Sequence, residues 1–154
     1  MKRHIDILNR SSKVDFDKAR LGRFISKLDE LLPGHCRAPE GELSIVLVDD
    51  AEMKMLHERF LGDPSSTDVI TFEGDGECAG EICAGAERAL MCAGKFGNTP
   101  SRELCLYVAH GYLHLAGIDD ISASDAAEMR ACESLALEIL DRNFRKDIFK
   151  YKNA

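Results

Sequence analysis

His110 and His114 stand four residues apart in the segment 104–115, LCLYVAHGYLHL. A run this apolar predicts a largely buried helix, and at that spacing both imidazoles project from one face, one above the other. Two neutral imidazoles so placed can grip one divalent cation, and zinc prefers nitrogen donors in a tetrahedral set. Gly117 then lets the chain reverse, and either Asp119 or Asp120 could bring a carboxylate back toward the pair. Three protein ligands leave a fourth position for water, the open arrangement that a catalytic zinc site requires. The competing reading is a pair of hydrogen-bonded core histidines. Position 111 is Gly, so the HExxH pattern of zincin proteases, in which the Glu serves as general base, is missing.

The elements that would carry these residues follow from periodicity and punctuation. Residues 4–8 and 42–48 read as strands, as do 68–72 and 78–84, the last two facing each other as a hairpin across Gly74-Asp75-Gly76. Apolar residues recur at helical spacing over 16–32, up to Pro33-Gly34, and over 51–61, up to Gly62-Asp63-Pro64. Asp49-Asp50 can cap the second of these helices. A third helix is expected over 86–96. A fourth should start with Thr99 as N-cap and Pro100 in its first turn, and end near Ala116 with Gly117 as its C-terminal cap. A fifth runs over 122–140. Four strands with helices grouped toward both ends imply an α+β fold, a small mixed four-stranded sheet packed with about five helices, in a single domain over 1–154.

The chain has 154 residues, of which 45% are hydrophobic and 31% charged, a globular composition able to sustain its own core. No stretch approaches the ~20 apolar residues of a membrane span. Residues 1–10 carry no apolar signal region, so a cytoplasmic location is expected. Six cysteines include no CxxC pair and read as reduced, mostly buried thiols, with a disulfide or an accessory metal ligand as the alternatives. The net charge of −7 does not favour nucleic acid as a partner. Local clusters can override that sum, and Lys2, Arg3, Arg10 and Lys13 form one near the start, with Arg142, Arg145, Lys146, Lys150 and Lys152 forming another near the end.

The segment His110-Gly111-Tyr112-Leu113-His114-Leu115-Ala116-Gly117-Ile118-Asp119-Asp120 resembles the signature of the YbeY family, H-G-x-L-H-L-x-G-Y-D-H. Ser66-Thr67-Asp68-Val69-Ile70-Thr71-Phe72 is similar to that family's T-[DN]-V-[IL]-[ST]-F block, and Gly80-Glu81-Ile82 to its G-[DE]-I strand. The resemblance implies a metal-dependent, single-strand-specific endoribonuclease that matures the 3′ end of the small-subunit ribosomal RNA and serves ribosome quality control. It implies a metal in a cleft at the two-histidine helix, one Zn2+ per chain, with single-stranded rRNA and a ribosomal subunit or ribosomal protein as partners. His110 and His114 then act as ligands and carry the catalysis. Asp120 occupies the place of the third ligand, and Asp119 would orient a ligand histidine from outside the metal's own shell.

Two departures stand out. The third ligand of the family is His, and Asp120 replaces it here, which adds negative charge and opens the site to manganese or iron. Leu61 sits where many members carry Arg; Arg59 lies two residues earlier and His57 where Asn is common. Thr67, Asp68 and Arg88 are the remaining candidates for substrate contact. Two other functions stay open at this point, a ribosome-assembly factor with little or no catalysis and a metal hydrolase acting on another substrate.

Overall fold

The computed structural model describes residues 3–152; Lys2, counted above in the N-terminal basic cluster, lies outside them. The element order is β1 (Ile5–Asn9), β2 (Val14–Phe16), α1 (Lys18–Leu31), β3 (Glu42–Val48), α2 (Asp50–Leu61), β4 (Val69–Glu73), β5 (Cys78–Gly85), α3 (Ala86–Cys92), α4 (Pro100–Leu115), α5 (Ala123–Asn143) and β6 (Phe149–Tyr151). Short 3₁₀ turns at Gly34–Cys36 and Ala93–Phe96 follow α1 and α3. The architecture is α+β. The main sheet runs β1-β3-β5-β4, with β1, β3 and β5 parallel and β4 returning antiparallel to β5 as the expected hairpin.

Two features depart from the sequence reading. Phe16, expected in the first helix, lies in β2, because Asp17 caps α1 by accepting the Arg20 N–H and so starts the helix two residues later. β2 pairs antiparallel with β6 in a second, two-stranded sheet, Phe16 opposite Phe149. Each strand is three residues long, too short to show an alternation. Asp49 precedes α2, but its carboxylate accepts from Ser11 and Ser12 instead of from its own helix. No described helix is long and apolar enough to cross a membrane.

Helix α4 is the centre of the core. Leu104, Val108, Ala109, Tyr112 and Leu113 are fully buried against the sheet and the neighbouring helices. Its approach to the sheet is limited by Gly111, where a Cβ would fall 2.7 Å from Ile82 Cγ2, 3.1 Å from Thr71 Cγ2 and 3.2 Å from Val69 Cγ2. These methyls belong to β-branched side chains with little rotamer freedom on a pleated surface, so they cannot step aside. The residue that a zincin would replace with Glu is therefore the contact point of the helix with β4 and β5. On another side of α4, the Tyr112 hydroxyl donates to Asp29 Oδ1 at 2.6 Å, and the buried Asp29 carboxylate is in turn held in a bidentate fork by Arg3 at 2.9 Å.

Over-packing this contact tests its importance. Gly111→Val is expected to destabilise the fold by about 1–3 kcal/mol, seen in urea unfolding as a lower midpoint at unchanged slope. An unchanged midpoint would show that α4 does not sit this close to the sheet.

Candidate metal centre

The C-terminal end of α4 is closed by a Schellman turn. The Gly117 N–H donates to His114 O at 3.0 Å and the Ile118 N–H to Leu113 O at 3.1 Å, with Gly117 at φ +93°. Ile118 is buried and anchors the turn, so Asp120, two residues on, is brought back over the last turn of α4. His110 Nε2 and His114 Nε2 stand 2.9 Å apart with ring planes at 83°. Asp120 Oδ2 lies 3.5 Å from the first and 3.8 Å from the second. With metal–ligand bonds of about 2.0–2.2 Å, donors at the corners of a tetrahedron stand about 3.3–3.5 Å apart. The three observed separations bracket that value, so the donor set fits one small divalent ion with shifts of a few tenths of an ångström.

A fourth residue completes the arrangement. Glu133, on α5, accepts a hydrogen bond from His110 Nδ1 at 2.5 Å. This contact fixes the tautomer that leaves His110 Nε2 facing the other donors, the usual task of a carboxylate behind a metal-binding histidine. The family resemblance implies that orienting role for Asp119. Asp119 is exposed, and its carboxylate accepts from the adjacent Asp120 N–H at 3.0 Å, a turn contact that trims the loop holding Asp120. Glu133 escaped notice because a Glu in a long amphipathic helix looks like any solvated face residue; only its depth, with a side chain about one-fifth exposed, marks it out.

The two imidazoles titrate in opposite directions. Burial acts to lower the His110 pKa, but the Glu133 hydrogen bond and charge, with Asp120 and Asp68, outweigh it and raise the value. Burial and the facing His110 charge lower that of His114. Glu133 favours the charged form of His110, while burial beside that charge disfavours it on His114. Positive charge is thus favoured at the point where the donors converge.

The cleft above them encloses about 500 Å³. Its acidic lining comprises Asp68, Glu103, Asp120 and Glu133, and among the described residues neither Lys nor Arg lines it. An anionic ligand would meet repulsion there unless a cation were bound. Thr67 and Asp68, ahead of β4, form part of the wall. Arg88 does not line it; its Nε is buried 3.8 Å from Asp68 Oδ1 without a hydrogen bond. The residues of α2 named in the sequence analysis also lie elsewhere. His57 Nδ1 pairs with the Ser65 carbonyl at 2.7 Å, the Arg59 guanidinium rests 5.5 Å from the centre of the Phe60 ring, and Leu61 is exposed. Tyr107, one turn before His110 and buried, lines the cleft with a hydroxyl that has no partner among the described residues.

The family model for the endoribonuclease YbeY matches residues 6–141. The chain belongs to the YbeY family. Among its relatives, the endoribonuclease YbeY of Acidothermus cellulolyticus is 36% identical over 146 residues, covering 84% of this chain and 87% of the relative. That of Chloroflexus aggregans is 33% identical over 124 residues, covering 72% and 78%. The solution structure of TM1509 from Thermotoga maritima superimposes with a TM-score of 0.62 at 29% identity, over 90% of both chains. The five helices and mixed four-stranded sheet are accordingly those of a solved relative.

Glu133→Gln should lower the affinity for a divalent metal by about 10–100-fold while leaving the unfolding curve of the metal-free protein cooperative. Competition with a chromogenic chelator measures this. Wild-type affinity in the variant would mean that the Glu133–His110 contact does not prepare the ligand.

Proposed function

We propose that the chain is a metal-dependent endoribonuclease that cuts single-stranded RNA, acting in ribosomal RNA maturation and ribosome quality control. The observation that carries the reading is the convergence of His110 Nε2, His114 Nε2 and Asp120 Oδ2 on one point of the cleft, in a chain whose relatives are named endoribonucleases. A divalent cation held there supplies, when bound, positive charge for the scissile phosphate and acidifies water. Zn2+ suits two imidazoles and a carboxylate, one ion per chain, and Asp120 in place of a third histidine extends the choice toward Mn2+ and Fe2+.

The roles of the chain's own residues follow. His110 and His114 present nitrogen donors from a buried, rigid helix, and Glu133 holds the first of them in register. Asp120 closes the donor set from the turn. Thr67 and Asp68 line the wall along which the RNA strand passes, and the buried Tyr107 hydroxyl is available to donate to it. Phe96, largely exposed on the cleft rim, offers a face on which a base can stack, and stacking is tolerant of sequence. Arg88 acts through Asp68, holding that carboxylate at the wall. Because no described Lys or Arg lines the cleft, the attraction for a phosphate would come from the bound cation, and the exposed basic residues near the C-terminal end, Arg145, Lys146, Lys150 and Lys152, would hold the rest of the RNA. In this reading one domain works in the cytoplasm on rRNA within a ribosomal subunit, alone or with a ribosomal protein.

Removal of the metal by a chelator is expected to abolish cleavage of a single-stranded RNA, and His114→Ala to do the same at any metal concentration. If chelated wild type and the His114→Ala variant both cut as fast as untreated protein, the assignment fails.

A further inference from the structure

A second set of donors lies away from this cleft. His35 and Cys36 sit on the 3₁₀ turn after α1, and Cys132 sits on α5. Cys36 Sγ and Cys132 Sγ are 2.9 Å apart, and His35 Nε2 is 3.3 Å from Cys36 Sγ. All three donor atoms lie within 4.8 Å of one another. Both sulfurs are buried and both cysteines are free, while the imidazole is exposed. Two thiols 96 positions apart in the chain share only a weak S–H donor, which does not account for so close an approach. From the observation that two sulfurs and an imidazole nitrogen converge where the turn meets α5, we propose that His35, Cys36 and Cys132 form a second metal site, selective for a thiophilic ion of the zinc class.

The donor set defines the ligand. Thiolate and imidazole together select Zn2+, Cd2+ or Cu+ and reject Mg2+ and Ca2+, which take oxygen. With metal–sulfur bonds of about 2.3 Å, two thiolates of a tetrahedral site stand about 3.8 Å apart, so the sulfurs need separate by less than 1 Å to admit an ion. Binding a divalent ion forms two metal–sulfur bonds, breaks two S–H bonds and releases two protons to solvent. The two negative sulfurs then neutralise the ion, which makes the complex suited to a buried position. His35 gives the ion a way in and supplies the third donor; a disulfide would use only the sulfurs and leave the imidazole without a part.

The position in the fold gives the site a purpose. Cys132 immediately precedes Glu133, whose carboxylate holds His110. An ion shared by the turn and α5 fastens the N-terminal half of that helix to the segment after α1, one residue from the contact that prepares the candidate catalytic ligand.

The test is a titration of the reduced, metal-free full chain with Cd2+, read as thiolate-to-metal charge-transfer absorption in the near ultraviolet. The His110, His114 and Asp120 centre contains no sulfur and is silent in this band, so the result is independent of the function proposed above. The band should saturate at one ion per chain, vanish in Cys132→Ser, and require roughly tenfold or more Cd2+ in His35→Ala. His35 is exposed, so that variant keeps the fold and decides the matter if Cys132→Ser does not fold. Absence of the band, its persistence in folded Cys132→Ser, or wild-type Cd2+ affinity in His35→Ala would overturn the site. So would a disulfide between Cys36 and Cys132 found by peptide mapping in protein isolated without reductant.

Discussion

Helix α4 meets the sheet through a residue that has no side chain, and the rest of the site is a consequence of that contact. Because Gly111 lies against Ile82, Thr71 and Val69, the helix axis sits closer to β4 and β5 than any other residue would allow. The histidines before and after it on the helix are thereby carried to the edge of the same hairpin, where Thr67 and Asp68 enter β4. Moving the helix outward by a methyl group's width would shift both imidazoles, and the turn that carries Asp120 with them, while leaving Glu133 behind on α5. The depth of one glycine thus sets where the two histidines stand relative to Glu133.

Charge explains why these segments tolerate being brought together. Asp68, Glu103, Asp120 and Glu133 crowd a cleft that no described Lys or Arg lines, and only Asp68 has an arginine, Arg88, set behind it. The partial remedy within the protein is the pair of imidazoles, where burial competes with carboxylate attraction and the charged form is favoured on the histidine that faces Glu133. A multiply charged cation at the same point answers the imbalance more fully than one proton can. The surplus of negative charge that made nucleic acid an unpromising partner on composition is, locally, what makes the cleft receptive to a metal.

The parts of this arrangement that were readable from sequence are those governed by short-range rules. The i, i+4 spacing of His110 and His114, the Thr99 and Pro100 start of α4, the Gly117 stop and the β4–β5 hairpin all depend on a few neighbouring residues. The structure has each where those rules put it. Glu133 was not readable, because its partner lies 23 positions away and nothing in its own helix distinguishes it from Glu138, which faces solvent. The β2–β6 pairing was hidden for the same reason, two three-residue strands joined across nearly the whole chain. Asp119 and Asp120 are adjacent and of one type, so only the course of the turn tells them apart. Gly111 was read as the lack of a catalytic Glu, when its physical meaning is the closeness of two backbones.

The Schellman turn divides the metal donors into unlike kinds. Two nitrogens are borne by the most deeply buried helix of the protein, with side chains about one-quarter exposed or less. The carboxylate hangs from a short loop and is 43% exposed. A site with two stiff arms and one compliant arm accommodates ions of different radius by moving the compliant one. An ion held there would load and unload from that side, since the outer donor could let go while the inner two still hold. A solvated carboxylate in place of a third imidazole would then bear on how readily an ion is exchanged as well as on how strongly it is gripped.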